Sequence, residues 1–204
     1  MRGQYIGYRD EKGVASDSDV EIFCALRLYI DSWRWAGVPW YLRAGKRLPS
    51  SVVEVQVQIQ PPRQPPRQSP PQPLFDDSRP AGGRANNLRF RLQPEAVIAL
   101  AARVKRPGKE FVGVQRELYL GEVDPNPMST YERLLGDAMA GDGALFTDVD
   151  SVMAAWAVVE PVLVEHGPAL RYEPGSRGLE EAAALIADAG GWHDPVVGTA
   201  SARR

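Results

Sequence analysis

Lys46 and Arg47 are the two residues whose type and position most directly suggest binding chemistry. They follow Gly45 at the end of a segment with an extended pattern. Only four of the 24 basic residues are lysines, so a lysine at this point is a rarer choice than an arginine. Two cations after a glycine suit an oxyanion or a phosphate, because a flexible ammonium supplies charge to a group held by another surface. Spacing alone favours a solvated surface lysine, and anion binding is the alternative.

The other reactive side chains form no catalytic set. His166 follows Glu165 at a predicted helix end and His193 follows Trp192, and neither has the spacing of a nucleophile pair or a metal site. The chain has no GxGxxG and no GxxxxGK[ST] motif, so the sequence predicts neither a dinucleotide-binding fold nor a P-loop. We predict no catalytic residue and no metal ligand in this chain.

Composition indicates an ordinary globular protein. The chain has 204 residues, of which 44% are hydrophobic and 25% charged, and its net charge is −2. This charge gives no argument for nucleic acid or for a membrane surface, and no apolar run approaches the ~20 residues that span a bilayer. The single cysteine, Cys24, is expected to be buried and structural. It fits a reducing compartment, and we expect a cytoplasmic protein.

Strict alternation predicts several strands. The segment 19–31 has one apolar face, made of Val20, Ile22, Cys24, Leu26, Leu28 and Ile30. Segments 53–60, 87–93, 96–104 and 111–120 complete at least five strands, whose short connections favour antiparallel pairing. Residues 1–18 are expected to be an irregular lead-in. Residues 61–86, with PPRQ repeated, are expected to form an exposed proline-rich loop, and a ligand for a proline-recognition module is the alternative.

Helical signals follow the strands. Ser129 precedes Glu132 by three residues, which is the spacing of a capping box. A second helix is expected to begin at Asp148 or Asp150, and a third spans 178–189. Residues 194–204 are predicted to be a loose tail. Strands first and helices after predict an α+β domain.

Residues 26–49, LRLYIDSWRWAGVPWYLRAGKRLP, closely resemble a segment of the glucose-6-phosphate dehydrogenase family. Further blocks resemble that family in the same order: RGQY at 2–5, NNLRFRLQP at 86–94, TYERLLGDAMAGDGALFT at 130–147, AAW at 154–156 and GSRGLEEA at 175–182. The resemblance implies that residues 1–204 are the family's single C-terminal domain. Its α+β fold has a large, mainly antiparallel sheet that also makes the dimer contact, and the N-terminal dinucleotide-binding domain is absent.

The resemblance also implies a function. The family oxidises glucose 6-phosphate at C1 to 6-phosphogluconolactone, passing hydride to NADP in the oxidative pentose phosphate pathway. The coenzyme is bound mainly by the absent half, which also carries the catalytic base. The chain alone is therefore expected to be inactive, and its expected partners are a second copy through the sheet or a separate N-terminal half. A non-catalytic dimerisation or regulatory remnant, or a truncated gene product, is the alternative.

The resemblance assigns residues to two ligands. Lys46 matches the family's sugar-phosphate lysine, while Ser51 stands where many members carry a second lysine. Weaker candidates for the substrate or a second, structural NADP site are Arg43, Arg91, Gln93 and Arg177. Gln56 and Ala99 stand where that second site has basic and aromatic residues, so we expect no structural NADP.

Overall fold

In the part of the chain that the structure describes, eight strands form two four-stranded sheets, and two longer helices follow seven of the strands. The computed structural model describes residues 1–59, 86–108, 113–121, 129–164 and 166–195. This architecture confirms the predicted α+β class with mainly antiparallel pairing. Among the described residues, no helix is long and apolar enough to cross a membrane.

The first sheet carries Lys46 at its rim. Its strands, in spatial order, are β3 (Pro39–Gly45), β2 (Phe23–Tyr29), β1 (Arg2–Tyr5) and β8 (Leu170–Tyr172). Strand β1 pairs antiparallel with β2 and parallel with β8. Strands β2 and β3 form a hairpin, whose turn is packed by the rings of Trp35 and Trp40 with their centroids 4.9 Å apart.

The second sheet is an antiparallel meander. Its strands are β4 (Val53–Gln58), β5 (Asn87–Gln93), β6 (Val97–Lys105) and β7 (Gly113–Gly121). The predicted bounds of β5 are confirmed, and those of β4, β6 and β7 agree to within two residues. The register places polar side chains on one face, where Arg89 binds Glu117 and Arg91 binds Glu54. The opposite face is apolar and includes Phe90, Leu100 and Leu118, as strict alternation requires.

The helices begin where their sequence signals predict. Helix α1 (Thr130–Ala140) is capped by Ser129, whose hydroxyl accepts from the Glu132 amide at 3.1 Å. Helix α2 (Val149–Val164) follows Asp148, whose carboxylate accepts from the Ser151 amide at 2.7 Å. The helix continues through Pro161. The third predicted helix is wrong in length, because only α3 (Ala182–Leu185) is α-helical, followed by a 3-10 turn at Ala187–Ala189.

A small aromatic core holds the first sheet to the C-terminal segment. Phe23 is 1% exposed and packs against the ring of Tyr172, with the two centroids 5.3 Å apart. Two glycines accept the Phe23 ring: an added Cβ would lie 2.7 Å from it at Gly45 and 2.0 Å at Gly178. Larger residues at these positions would therefore collide with the ring. Leu179 completes this core beside the rim that carries Lys46.

Two expectations about the first sheet were wrong. Residues 2–5, expected to be irregular, form β1 in the middle of the sheet, because strands on both sides supply its hydrogen bonds. The buried face of β2 is that of Phe23 and Ala25, both 1% exposed, since α3 and Tyr172 pack there. Cys24 points to the other face and is only half-buried, and its burial raises the pKa of the thiol.

Two further expectations concern the connections. The proline-rich loop expected at 61–86 lies outside the described residues, except for residue 86. Asp194, expected to begin a loose tail, forms ion pairs with Arg43 and Arg177. Residues beyond 195 are likewise outside the described part of the chain.

The packing of Phe23 generates a stability prediction. Gly178→Ala should lower the free energy of unfolding by about 3 kcal/mol, because it adds overpacking against Phe23 to the strain of a φ of +91°. Gly37→Ala is the matched control, since Gly37 also has a positive φ, 73°, but nothing within 4 Å of an added Cβ. It should cost about 1 kcal/mol. Equal losses in urea unfolding would show that the contact with Phe23 contributes nothing.

Candidate functional site

The backbone around Lys46 is held at consecutive residues where it leaves β3. The Lys46 amide donates to the Ile22 carbonyl at 2.9 Å, which extends the β2–β3 ladder by one step. The Lys46 carbonyl accepts from the hydroxyl of Tyr172 at 2.7 Å. The amide of Gly175 then donates to the Arg47 carbonyl at 2.7 Å. The exit from the strand is therefore fixed against the segment that follows β8.

The Arg47 side chain turns back towards the N-terminal segment. Its Nη2 lies 3.2 Å from Glu11 Oε1, and the guanidinium lies over the ring of Tyr5, 5.7 Å from the centroid. The Tyr5 hydroxyl donates to the same Glu11 oxygen. Hydrogen bonds from Tyr5 and Arg47 hold the pKa of Glu11 below its usual value, while the bond to Glu11 and burial raise the pKa of Tyr5.

The Lys46 ammonium, by contrast, is exposed and has no ion pair or side-chain hydrogen bond within the described residues. The structure therefore presents a cation on a fixed backbone with its three donors directed to solvent. Ser51, also exposed, precedes β4 by two residues. The arrangement is suited to bind an anion supplied by a ligand, since no carboxylate of the described chain neutralises the ammonium.

Arg43 and Arg177 converge on one carboxylate. Arg43 Nη2 lies 2.9 Å and Arg177 Nη1 2.6 Å from the same oxygen, Oδ1 of Asp194. The Arg43 guanidinium also stacks on Trp192, 4.9 Å from the ring centroid. Burial raises the pKa of Asp194, but the hydrogen bonds from both arginines outweigh this effect and hold the pKa below its usual value. These residues line an open cleft of about 580 Å³.

Arg91 and Gln93 lie on β5 in the second sheet. The Arg91 guanidinium binds Oε2 of Glu54 through Nε at 3.0 Å and Nη2 at 2.9 Å, and the Glu54 side chain is only 4% exposed. Gln93 is exposed at the end of the strand, opposite Val53 in the register. The structure thus brings Arg43 and Arg177 together at Asp194, and the adjacent His193 contacts Glu54, the partner of Arg91.

The two histidines lie beside carboxylates. His193 Nε2 is 3.3 Å from Glu54 Oε1, and His166 Nδ1 is 3.8 Å from an oxygen of Asp19. No cluster of three or more His, Cys, Asp or Glu side chains suited to a metal ion occurs in the part of the chain that the structure describes.

Sequence reasoning missed the residues that fix the Lys46 backbone. Tyr172, which binds the Lys46 carbonyl, carries no local signal of such a role, because the pairing of β1 with β8 brings it there. The same holds for Tyr5 and Glu11, which contact the side chain of the adjacent Arg47. Local patterns also gave no sign that Trp192 and Asp194 contact Arg43, because these residues are far apart in sequence. Asp194 lies 151 residues after Arg43. Only Gly45, the glycine before Lys46, could have indicated that another side chain packs closely against the backbone here; that side chain is Phe23.

Comparisons with known proteins give one consistent result. A family model described as "Glucose-6-phosphate dehydrogenase, C-terminal domain" matches residues 1–193. A glucose-6-phosphate 1-dehydrogenase from Aggregatibacter actinomycetemcomitans is 38% identical over 201 residues, which are 95% of this chain but 38% of that protein. The chain thus spans about two fifths of the length of this curated relative.

Two solved structures are similar over nearly the whole chain. A glucose-6-phosphate 1-dehydrogenase from Mycobacterium avium gives a TM-score of 0.76 at 34% identity, covering 97% of this chain and 40% of that one. A glucose-6-phosphate dehydrogenase in complex with its substrate glucose-6-phosphate gives 0.74 at 26% identity, covering 96% and 41%. The likeness therefore extends to the fold as well as to the sequence.

The two-arginine cluster around Asp194 predicts a pH dependence. Because the pKa of Asp194 is lowered on folding, its stabilisation is present above the usual value of ~3.9 and is lost as the pH falls through the lower folded pKa. Asp194→Asn should therefore destabilise the chain at pH 7, and the difference from wild type should shrink below about pH 4. Urea unfolding across this range tests it, with Asp188→Asn on the exposed 3-10 turn as control. A difference independent of pH would contradict the ion pairs.

Proposed function

Because the chain belongs to the glucose-6-phosphate dehydrogenase family, as its C-terminal domain, we propose that it forms the sugar-phosphate side of a glucose 6-phosphate dehydrogenase active site. Residues 1–204 act as one C-terminal domain in this proposal. The catalytic base and the main NADP site belong to the part of the family's polypeptide that this chain does not span. The reaction is oxidation of glucose 6-phosphate at C1, with hydride passed to NADP in the oxidative pentose phosphate pathway of the cytoplasm.

The observation that carries the proposal is the state of Lys46. Its backbone is fixed by the bonds to Ile22 and Tyr172, while its ammonium has no partner within the described chain. A fixed cation lowers the barrier to reaction by orientation, since holding the phosphate directs C1 towards a coenzyme on another domain. A solved relative that binds glucose 6-phosphate has the same fold, which supports this choice of anion.

Arg43 and Arg177 fit a second NADP poorly. Both guanidiniums already bind Asp194 Oδ1, so a coenzyme phosphate would have to displace a carboxylate from two ion pairs. The indole of Trp192 is likewise covered by Arg43 on one face. We therefore propose that this cluster stabilises the C-terminal segment and that the chain binds no structural NADP. Arg91, bound to the nearly buried Glu54, has the same structural role in the second sheet.

Lys46→Ala tests the proposed role in a reconstituted enzyme. The chain is combined with the preceding part of the Aggregatibacter relative, and NADP reduction is measured. The chain alone should be inactive, and the mixture active. Lys46→Ala should raise the KM for glucose 6-phosphate about 10- to 100-fold, the effect of losing a charged hydrogen bond.

Lys105→Ala is the control, because Lys105 lies at the end of β6 in the second sheet and binds backbone carbonyls there. Its KM should equal that of wild type. An unchanged KM in Lys46→Ala would remove Lys46 from the site. NADP reduction by the unaided chain would refute the division of the active site between two parts.

The second sheet supports a homodimer. Its apolar face carries Leu120 and Leu118, both about 70% exposed, beside Leu100 and Ile98 on the neighbouring strand. An exposed apolar sheet face of this kind marks an interaction surface. We propose that a second copy covers it, as the resemblance implies. Dimerisation alone, without catalysis, is the second candidate function.

Leu118→Lys should convert a dimer into a monomer in sedimentation, because it places a charge in the centre of the apolar face. Leu42→Lys, which is also an exposed position but lies on β3 of the first sheet, should leave the dimer intact. A wild-type chain that is monomeric at high concentration would contradict the proposal, and so would a Leu118→Lys variant that remains dimeric.

A further inference from the structure

One buried side chain from a distant part of the sequence binds the backbone of Lys46 directly. Tyr172, the last residue of β8, is 3% exposed, and its hydroxyl donates to the Lys46 carbonyl at 2.7 Å. The two residues are 126 positions apart, so the bond is a tertiary contact and not part of a local turn. Within the described residues, no other side chain makes a hydrogen bond to the Lys46 backbone.

The Tyr172 hydroxyl is held in place by the packing of its ring. The ring centroid lies 5.3 Å from that of Phe23 and 6.2 Å from that of Tyr5, and all three rings belong to the buried core of the first sheet. Burial, and to a smaller extent the charge of Tyr5, raises the pKa of Tyr172. The phenol therefore keeps its proton at neutral pH and remains a hydrogen-bond donor.

The bond from Tyr172 completes the restraint of Lys46. The Lys46 amide donates to the Ile22 carbonyl at 2.9 Å, which holds the peptide group before the Lys46 Cα. Tyr172 holds the peptide group after it. Because peptide groups are planar, the orientations of these two groups determine both backbone dihedrals of the residue between them, and with them the direction of its Cα–Cβ bond.

This direction is the one restraint that the described chain places on the Lys46 side chain. The side chain is exposed and has no ion pair or hydrogen bond within the described residues. Its ammonium therefore searches the space around a fixed Cβ. A fixed starting direction reduces the conformational freedom that is lost when the ammonium binds an anion, and this strengthens binding.

We propose that Tyr172 is a positioning residue for the sugar phosphate: its hydroxyl holds the Lys46–Arg47 peptide and thereby fixes the direction in which the Lys46 side chain leaves the backbone. This role rests on the proposed function of Lys46. Tyr172 itself does not touch the phosphate. Strand β8, at one edge of the first sheet, thus contributes to the site as well as to the core.

The competing explanation is that the Tyr172 hydroxyl contributes only to stability. Tyr5 provides the matched comparison, because it is also buried, its ring contacts that of Tyr172, and its hydroxyl donates to Glu11 instead of to Lys46. Tyr172→Phe and Tyr5→Phe each remove one hydroxyl and keep the ring. Both variants should lower the midpoint of urea unfolding, since each loses a hydrogen bond from the core.

The first test is titration of the full chain with glucose 6-phosphate, followed by the ¹⁵N signals of the backbone amides. Tyr172→Phe should raise the Kd about three- to tenfold, the range for one lost hydrogen bond. Tyr5→Phe should leave the Kd at the wild-type value. An unchanged Kd in Tyr172→Phe would overturn the positioning role, and so would an equal rise in both variants, which would indicate general loosening of the core.

The second test measures the restraint without ligand. The Arg47 amide belongs to the peptide group whose carbonyl Tyr172 binds, so its ¹⁵N order parameter reports the motion of that group. The order parameter should fall from about 0.85 towards about 0.6 in Tyr172→Phe and stay unchanged in Tyr5→Phe. A rigid Arg47 amide in Tyr172→Phe would show that other contacts, such as the Gly175 amide on the Arg47 carbonyl, suffice, and this would refute the proposal.

Combination with Lys46→Ala distinguishes failure of this inference from failure of the proposed function. If Tyr172 acts through Lys46, Tyr172→Phe should have no further effect on the Kd in the Lys46→Ala background. A wild-type chain that does not bind glucose 6-phosphate, or a Kd unchanged in Lys46→Ala alone, refutes the proposed function. If Lys46→Ala raises the Kd while Tyr172→Phe leaves it unchanged or adds its full effect in the double variant, Lys46 remains a ligand and the positioning role fails.

Discussion

The packing of one aromatic ring, that of Phe23, is the constraint on which the first sheet and its site depend. The ring fills the space between Gly45 and Gly178 and touches Tyr172, so it joins the end of β3 to the segment after β8. Burial of a phenylalanine contributes about 2 kcal/mol, a large share for so small a core. Because Gly45 precedes Lys46, the same contact that stabilises the fold also places the proposed phosphate ligand.

Four arginines of the two sheets and their connections are bound by carboxylates of the chain. Arg43 and Arg177 are bound by Asp194, Arg91 by Glu54 and Arg47 by Glu11. The lysine at the exit of β3 differs from these arginines in having no carboxylate partner in the described chain. Paired guanidiniums stabilise the architecture, and an unpaired ammonium is available to a ligand. Other exposed cations, such as Lys12 and Arg27, also have no ion pair within the described residues, so the choice of Lys46 rests on its place in the family resemblance.

Local patterns were sufficient for most of the second sheet and for the helix starts. Alternation predicted the bounds of β5, and the Ser129–Glu132 spacing predicted the cap of α1, because both depend on neighbours in sequence. Strand β1 could not be predicted, since Arg2–Tyr5 is extended only through pairing with β2 and β8. The same limit applied to the buried face of β2, where tertiary packing of Phe23 overrode the longer apolar pattern.

The candidate site likewise combines residues that the sequence indicates with residues that only the folded chain brings together. The family resemblance pointed to Lys46, but the sequence did not predict that Tyr172 binds the Lys46 carbonyl or that Glu11 binds the adjacent Arg47, since both contacts form only in the folded chain. The most direct test of the account is a crystal structure of the reconstituted enzyme with glucose 6-phosphate. We predict a phosphate oxygen at about 2.8 Å from Lys46 Nζ, with Arg47 still bound to Glu11. A phosphate bound instead by Arg43 and Arg177, with Asp194 displaced, would contradict it.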